Sequence, residues 1–220
     1  MLDITLTFDN GPDPATTPHV LDVLSGRGIA ATFFVLGERL ARPDWRALAE
    51  RAAAEGHWIG NHTYTHSTPL GLVEDPCVTR EEIESTQELI GDLAHPDRLF
   101  RPFGGGGHLD RRLLSRAAVE HLLEGGYTCV TWNAVPGDWR DPDGWVQRAL
   151  EQCRAVQRAL LVLHDLPTGA MAHLERFVDL AQDVGARFTQ DFPEDCVLIR
   201  GGEIVGELDG LVAGDRGARA

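Results

Sequence analysis

Positive charge is in short supply in this chain. Against 34 Asp and Glu there are only 20 Lys and Arg in 220 residues, a formal net charge of −14. A protein that grips nucleic acid regardless of sequence needs surplus cations to displace counterions from phosphates, so no nucleic-acid partner is expected. Acidity leaves neutral and cationic substrates open. Long apolar runs are missing as well. The longest, ALLVL at 159–163, falls far short of the roughly 20 residues that cross a bilayer. The opening MLDITLTFDN has neither the basic segment nor the apolar stretch of a secretory signal, so a cytoplasmic protein with no membrane partner is expected. Cysteine is sparse and scattered: Cys77, Cys129, Cys153 and Cys196 form no C-x-x-C pair, which removes zinc ribbons and redox motifs and leaves ordinary reduced thiols. No internal repeat or low-complexity linker divides the chain.

What the sequence does have is alternation. DITLTF (3–8) reads as a strand. TTPHVLDVLSGRG follows as a helix, with Val20, Leu21, Val23 and Leu24 on one face and Gly26 and Gly28 at its end. AATFFVLG, HWIGNH, RLFRP, YTCVTWN and ALLVLHD read as further strands, and PDWRALAERAAAEG, 79–94, 109–124, 142–153 and 170–184 as helices. Alternation of this kind predicts an α/β fold with a parallel sheet covered by helices. About seven units fit a small distorted (β/α)7 or (β/α)8 barrel with parallel strands, since a full eight-unit barrel takes about 250 residues. An open doubly wound sheet has the same pattern. The barrel is favoured by where polar residues fall: Asp9 and Asn10, His62 and His66, Arg101, Asp138 and Trp139, and His164 each follow a strand. In a barrel those carboxyl ends converge on one face, where chemistry is placed. Residues 1–200 are expected to form one domain, and the glycine-rich 201–220 a C-terminal hairpin or flexible tail.

Five short motifs in order, TFDNGP, HTYTH at 62–66, RPFG at 101–104, GDW at 137–139 and VLH at 162–164, resemble those of the polysaccharide deacetylase family, also called the NodB homology domain or carbohydrate esterase family four. The likeness spans Leu6 to about His164. It implies a catalytic domain over 1–200 that hydrolyses a carbon–nitrogen bond, removing the N-acetyl group from an amino sugar or oligosaccharide. Two histidines separated by three residues are expected to place both rings on one side of a helical turn, a spacing suited to a divalent metal of the zinc type. His62 and His66 are therefore the expected ligands. The resemblance supplies an oxygen ligand at position 10, where an amide, Asn10, stands in place of the family's second acid. Zinc is the first expectation, with cobalt, manganese and nickel as alternatives.

By the same resemblance Asp9 is the general base that takes a proton from metal-activated water, and His164 the general acid that protonates the leaving amine. Arg101 orients Asp9, and Asp138 is implied to hold Arg101. Trp139 forms an apolar wall. A backbone N–H of Phe103 or Gly104 is implied to receive the oxyanion, and His108 is expected at the substrate rim. Two positions depart from the family pattern. RPFG replaces the usual R-P-P-Y, and Val135 stands where an acid is common. GGGGHLD (104–110) could cradle phosphate, but it lacks the lysine and Ser/Thr of a P-loop. Trp132 and Trp145 bracket the site loop and could stack on a sugar ring.

Two other readings stay open. The same fold serves hydrolysis of small linear or cyclic amides, and Asn10 could mark an inactive homologue that only binds glycan. The expected partner is a small-molecule or oligosaccharide substrate, and the sequence leaves the oligomeric state open.

Overall fold

A computed structural model describes residues 2–214. Positions 215–220, part of the expected flexible tail, lie outside the described residues. Among the described residues nine strands run β1 Asp3–Asp9, β2 Thr32–Val35, β3 Trp58–Asn61, β4 Leu99–Phe100, β5 Thr128–Val130, β6 Arg158–His164, β7 Arg187–Thr189, β8 Val197–Arg200 and β9 Glu203–Ile204. Between them stand α1 Thr17–Arg27, α2 Gly37–Leu40, α3 Pro43–Ala54, α4 Pro76–Ile90, α5 Arg116–Glu124, α6 Trp145–Val156 and α7 Leu174–Asp183.

The sheet runs β6-β1-β2-β3-β4-β5-β8-β9, with β7 added beside the first half of β1. Pairing is parallel from β6 through β5. Beyond β5 the chain curls back: Ala134 bridges Leu161 of β6, and the Val162 N–H donates to the Ala134 carbonyl at 3.0 Å. That contact brings the two ends of the parallel run together as a distorted barrel. The expectation of parallel strands fails at β8 and β9, which pair antiparallel. They form a hairpin that begins before Gly201 because its strands need the buried Val197, Leu198 and Ile199.

Strand alternation sorts side chains into two cores. Ile4, Leu6 and Phe8 of β1 join Phe33, Leu161 and Leu163 against α1, α3, α6 and α7. Their alternates Phe34, Leu160 and Val162 pack on the inner side with Phe100, Tyr127 and Cys129. The β1 residues on that inner side are Thr5, Thr7 and Asp9, all buried, so the strand carries polarity into the barrel along one face.

Helix boundaries depart from the periodicity reading where capping intervenes. Pro76 starts α4 behind an Asp75 side chain that accepts from the Cys77 N–H, earlier than 79. Ser115 caps α5, later than 109, because Leu113 and Leu114 are held in the core and Leu114 bridges Val212. Among the described residues no helix is long and apolar enough to cross a membrane, and all four cysteines are free. Burial pushes the thiols of Cys129, Cys153 and Cys196 up to about 12, which leaves them unreactive packing residues.

Candidate active site

The carboxyl ends of the parallel strands frame a cleft of ≈ 250 Å³ lined by Asp9, Asn10, His62, His66, Phe103, Gly104, Trp139 and His164 among others. Residues up to 155 positions apart therefore share one small volume, as the motif pattern predicts. Arg101 and Asp138 stand behind this wall, each 0% exposed.

Asp9 ends β1. Its Oδ1 accepts from Arg101 Nη1 at 2.9 Å, and Oδ2 lies 3.6 Å from His62 Nε2. Arg101 is saturated from all sides: it donates to Thr7 Oγ1 at 2.6 Å and to the Thr131 carbonyl at 3.1 Å, and it lies over the Phe34 ring at 4.1 Å. Burial pulls its guanidinium below the usual value, with Asp9 pushing the other way. A cation so enclosed cannot swing, so it fixes the carboxylate beside it.

His164 ends β6, whose register places it directly beside Asp9. Its Nδ1–H donates to Asp138 Oδ1 and its backbone N–H to Asp138 Oδ2, both at 2.9 Å. The implied Arg101–Asp138 pairing is not made: Asp138 faces His164, while the Arg101 guanidinium donates to Asp9, Thr7 and the Val130 and Thr131 carbonyls. Burial alone would lower the His164 pKa, but the hydrogen bond and charge of Asp138, aided by Asp9 and Asp165, raise it overall. Trp139 packs edge-on against this imidazole, ring centroids 4.7 Å apart.

His62 and His66 lie side by side, ring centroids 4.8 Å apart, but on a loop and not on a helical turn. Thr63 and His66 adopt left-handed backbone at φ 69 and φ 53, which folds the segment after β3 back on itself. His62 donates Nδ1–H to the Arg101 carbonyl at 2.8 Å, so its Nε2 is the unprotonated nitrogen turned to the cleft. Burial lowers both histidines, His66 to about 2 with help from the neighbouring His62.

Asn10 has φ 71, a conformation that Asn and Asp tolerate better than most residues. Its Oδ1 is buried with no hydrogen-bond partner. Two neutral imidazoles and an orphaned amide oxygen in one cleft form a donor set that fits a divalent cation. Among the described residues no group of three His, Cys, Asp or Glu could do so. The amide oxygen is the third donor that the cleft places with the two imidazoles.

The roof of the cleft is the segment Phe103–Gly107. Phe103 stacks on His66 with centroids 3.7 Å apart. Gly104 presses on Trp132, where a β-carbon would meet the indole at 2.3 Å. Trp132 Nε1 and Arg140 Nη2 hold the Gly107 and Gly106 carbonyls, each at 3.2 Å. Val135 completes the wall. His108 is exposed and does not line the cleft, since left-handed Gly106 and Gly107 turn the chain away before it. Trp145 is fully buried against Phe177, so it offers no platform to a sugar.

Residues 3–122 match the sequence pattern of the family described as polysaccharide deacetylase. The chain belongs to the polysaccharide deacetylase family. A chitooligosaccharide deacetylase of Rhizobium leguminosarum bv. trifolii is 36% identical over 166 residues, 74% of this chain and 71% of the relative. A peptidoglycan-N-acetylglucosamine deacetylase of Bacillus cereus is 30% identical over 191 residues, 84% of this chain and 66% of the relative. Among solved structures, a family 4 acetyl xylan esterase from Clostridium thermocellum in complex with a cobalt ion superposes with TM-score 0.68 at 26% identity, over 85% of this chain and 87% of that one.

Beside this deacetylase-family site, next to the cleft-lining Leu166, stands a buried acid that the motifs do not include. Asp165, next to His164, is 0% exposed and receives the Thr17 hydroxyl on Oδ2. Burial raises its carboxyl to about 6. Adjacency to His164 in LHD was the only signal for it.

Proposed function

We propose that the protein hydrolyses the amide C–N bond of an N-acetylated amino sugar or oligosaccharide. The observation that carries this reading is the pairing across one cleft of two differently supported groups: Asp9 backed by Arg101, and His164 backed by Asp138. Asp9 takes the proton from the attacking water. His164, kept protonated by Asp138, hands its proton to the amine nitrogen, which leaves poorly without it. A backbone N–H at Phe103 or Gly104 receives the carbonyl oxygen as it gains charge, while Trp139, Val135 and Phe103 exclude solvent from the acyl group.

His62 Nε2, His66 and Asn10 Oδ1 would hold a divalent cation, zinc by the chemistry of two imidazoles. When bound it supplies Lewis acidity to the carbonyl and the water. A cobalt ion in the esterase structure and the amide-directed names of the sugar deacetylases support the reading. Because the chain spans 66–71% of those relatives, their substrates enter here as part of the proposal.

Acetate release from N-acetylglucosamine oligomers by protein loaded with zinc or cobalt, beside a panel of small linear and cyclic amides, tests it. Turnover of the oligomers that disappears in Asp9→Asn and His164→Ala is expected. Turnover of small amides alone would move the activity to the second substrate class. Glycan binding with no hydrolysis, switched on by Asn10→Asp, would make the protein a binding homologue.

A further inference from the structure

The catalytic turn after β1 leans on a residue that the chemistry above does not use. β1 and β6 are parallel with Asp9 beside His164, so Asn10 and Asp165 leave their strands at neighbouring positions. Asp165 turns toward the β1 loop. A β-carbon at Gly11 would lie 2.2 Å from each of its carboxylate oxygens, so only glycine allows that group to seat on the backbone directly after Asn10. The Thr17 hydroxyl donates to Oδ2 and accepts from the Asp13 N–H at 2.7 Å. On the other side Arg39 donates to the Pro12 carbonyl at 3.1 Å and to Asp13 Oδ2 at 3.3 Å. Residues 10–13 are thus clamped from two directions.

Packing alone does not account for a carboxyl group here. Asp165 Oδ1 is buried without a hydrogen-bond partner, and an unpaired buried polar atom costs stability that an apolar residue of similar size would avoid. The geometry points to Asp165 as a positioning residue: seated on Gly11 and bound by Thr17, it fixes the 10–13 turn so that Asn10 Oδ1 faces the two histidines and Asp9 faces His164. This inference rests on the roles proposed above for Asn10 and Asp9.

Its test compares wild type, Asp165→Ala, Asp165→Asn and Thr17→Val by calorimetric titration with Zn²⁺ or Co²⁺ alone, by kcat and KM for acetate release, and by the melting temperature of the metal-free protein. Asp165→Ala is expected to weaken metal binding by about 10–100-fold, the range for losing an outer partner of a ligand, and to lower kcat with KM nearly unchanged. Thr17→Val should shift both in the same direction by less. Asp165→Asn keeps the shape and the acceptor for Thr17 and should restore most of both.

Wild-type metal affinity and kcat in Thr17→Val and Asp165→Ala would overturn the inference. So would losses that track the melting temperature and are not rescued by asparagine. Should Asp165→Ala fail to fold, Thr17→Val decides. A wild type that binds metal but releases no acetate would refute the proposed function, and the titrations would still decide the role of Asp165.

Discussion

Asp138 spends both carboxylate oxygens on one histidine, and that arrangement has a measurable sign. In the proposed mechanism His164 must carry a proton to act as the acid, so activity is expected to fall as pH rises through its pKa. Asp138 raises that pKa against the lowering effect of burial, so the alkaline limb is expected at higher pH than an unpaired imidazole would give. In Asp138→Asn the limb of kcat/KM should move to lower pH, read from a pH–rate profile; an unmoved limb would detach Asp138 from that role. Arg101 yields a stability prediction. Replacing it with Met leaves Asp9 buried at 4% exposure with its charge partner gone, and breaking such a pair costs about 3–5 kcal/mol. Urea denaturation should show that loss. Asn10→Asp adds a charge to the donor set, and titration should show tighter cation binding than the wild type.

Loops at strand ends carry the site, and their geometry comes from neighbours more than from local propensity. The roof at 103–107 is held by Trp132 and by a single exposed arginine contact, Arg140 to the Gly106 carbonyl. Such a hydrogen bond contributes about 0.5–1.5 kcal/mol. Because the same segment carries the N–H proposed for the oxyanion, Arg140→Ala should lower kcat/KM by up to about tenfold, as steady-state kinetics would show. Strands β1 to β6 were legible in the sequence as short apolar runs and the main helices through their apolar faces, whereas β7 and β8 were not read as strands. The start of α5 was not, because Leu113 and Leu114 pack into the core from an irregular segment and mimic a helical stripe. The histidine spacing suggested a helical turn, whereas the chain uses two left-handed residues to bring the rings together.

At the scale of the whole molecule, the cation and the barrel are linked through the strand ends that would hold it. A ligand that binds only the folded chain stabilises it by about 2.7 kcal/mol at a concentration 100 times its dissociation constant. For a domain of this size that is roughly 5–10 °C in melting temperature. Thermal melts with excess chelator and with added Zn²⁺ should differ by that amount, and coincident melts would argue against a metal site in the folded chain. Closure also decides the cleft: the Ala134 to Leu161 bridge brings Val135 and Trp132 from beyond β5 up against the end of β6.

The order of motifs, the alternation of elements and the residue types at the strand ends were determined by the sequence alone, because each depends on local spacing and on which functional groups are present. It could not assign Asp138 to His164 instead of Arg101, turn His108 out of the cleft, or bring Asp165 under Gly11. Those choices rest on which buried donors and acceptors meet once the strands are in register, and a one-dimensional pattern does not encode that meeting until the barrel closes.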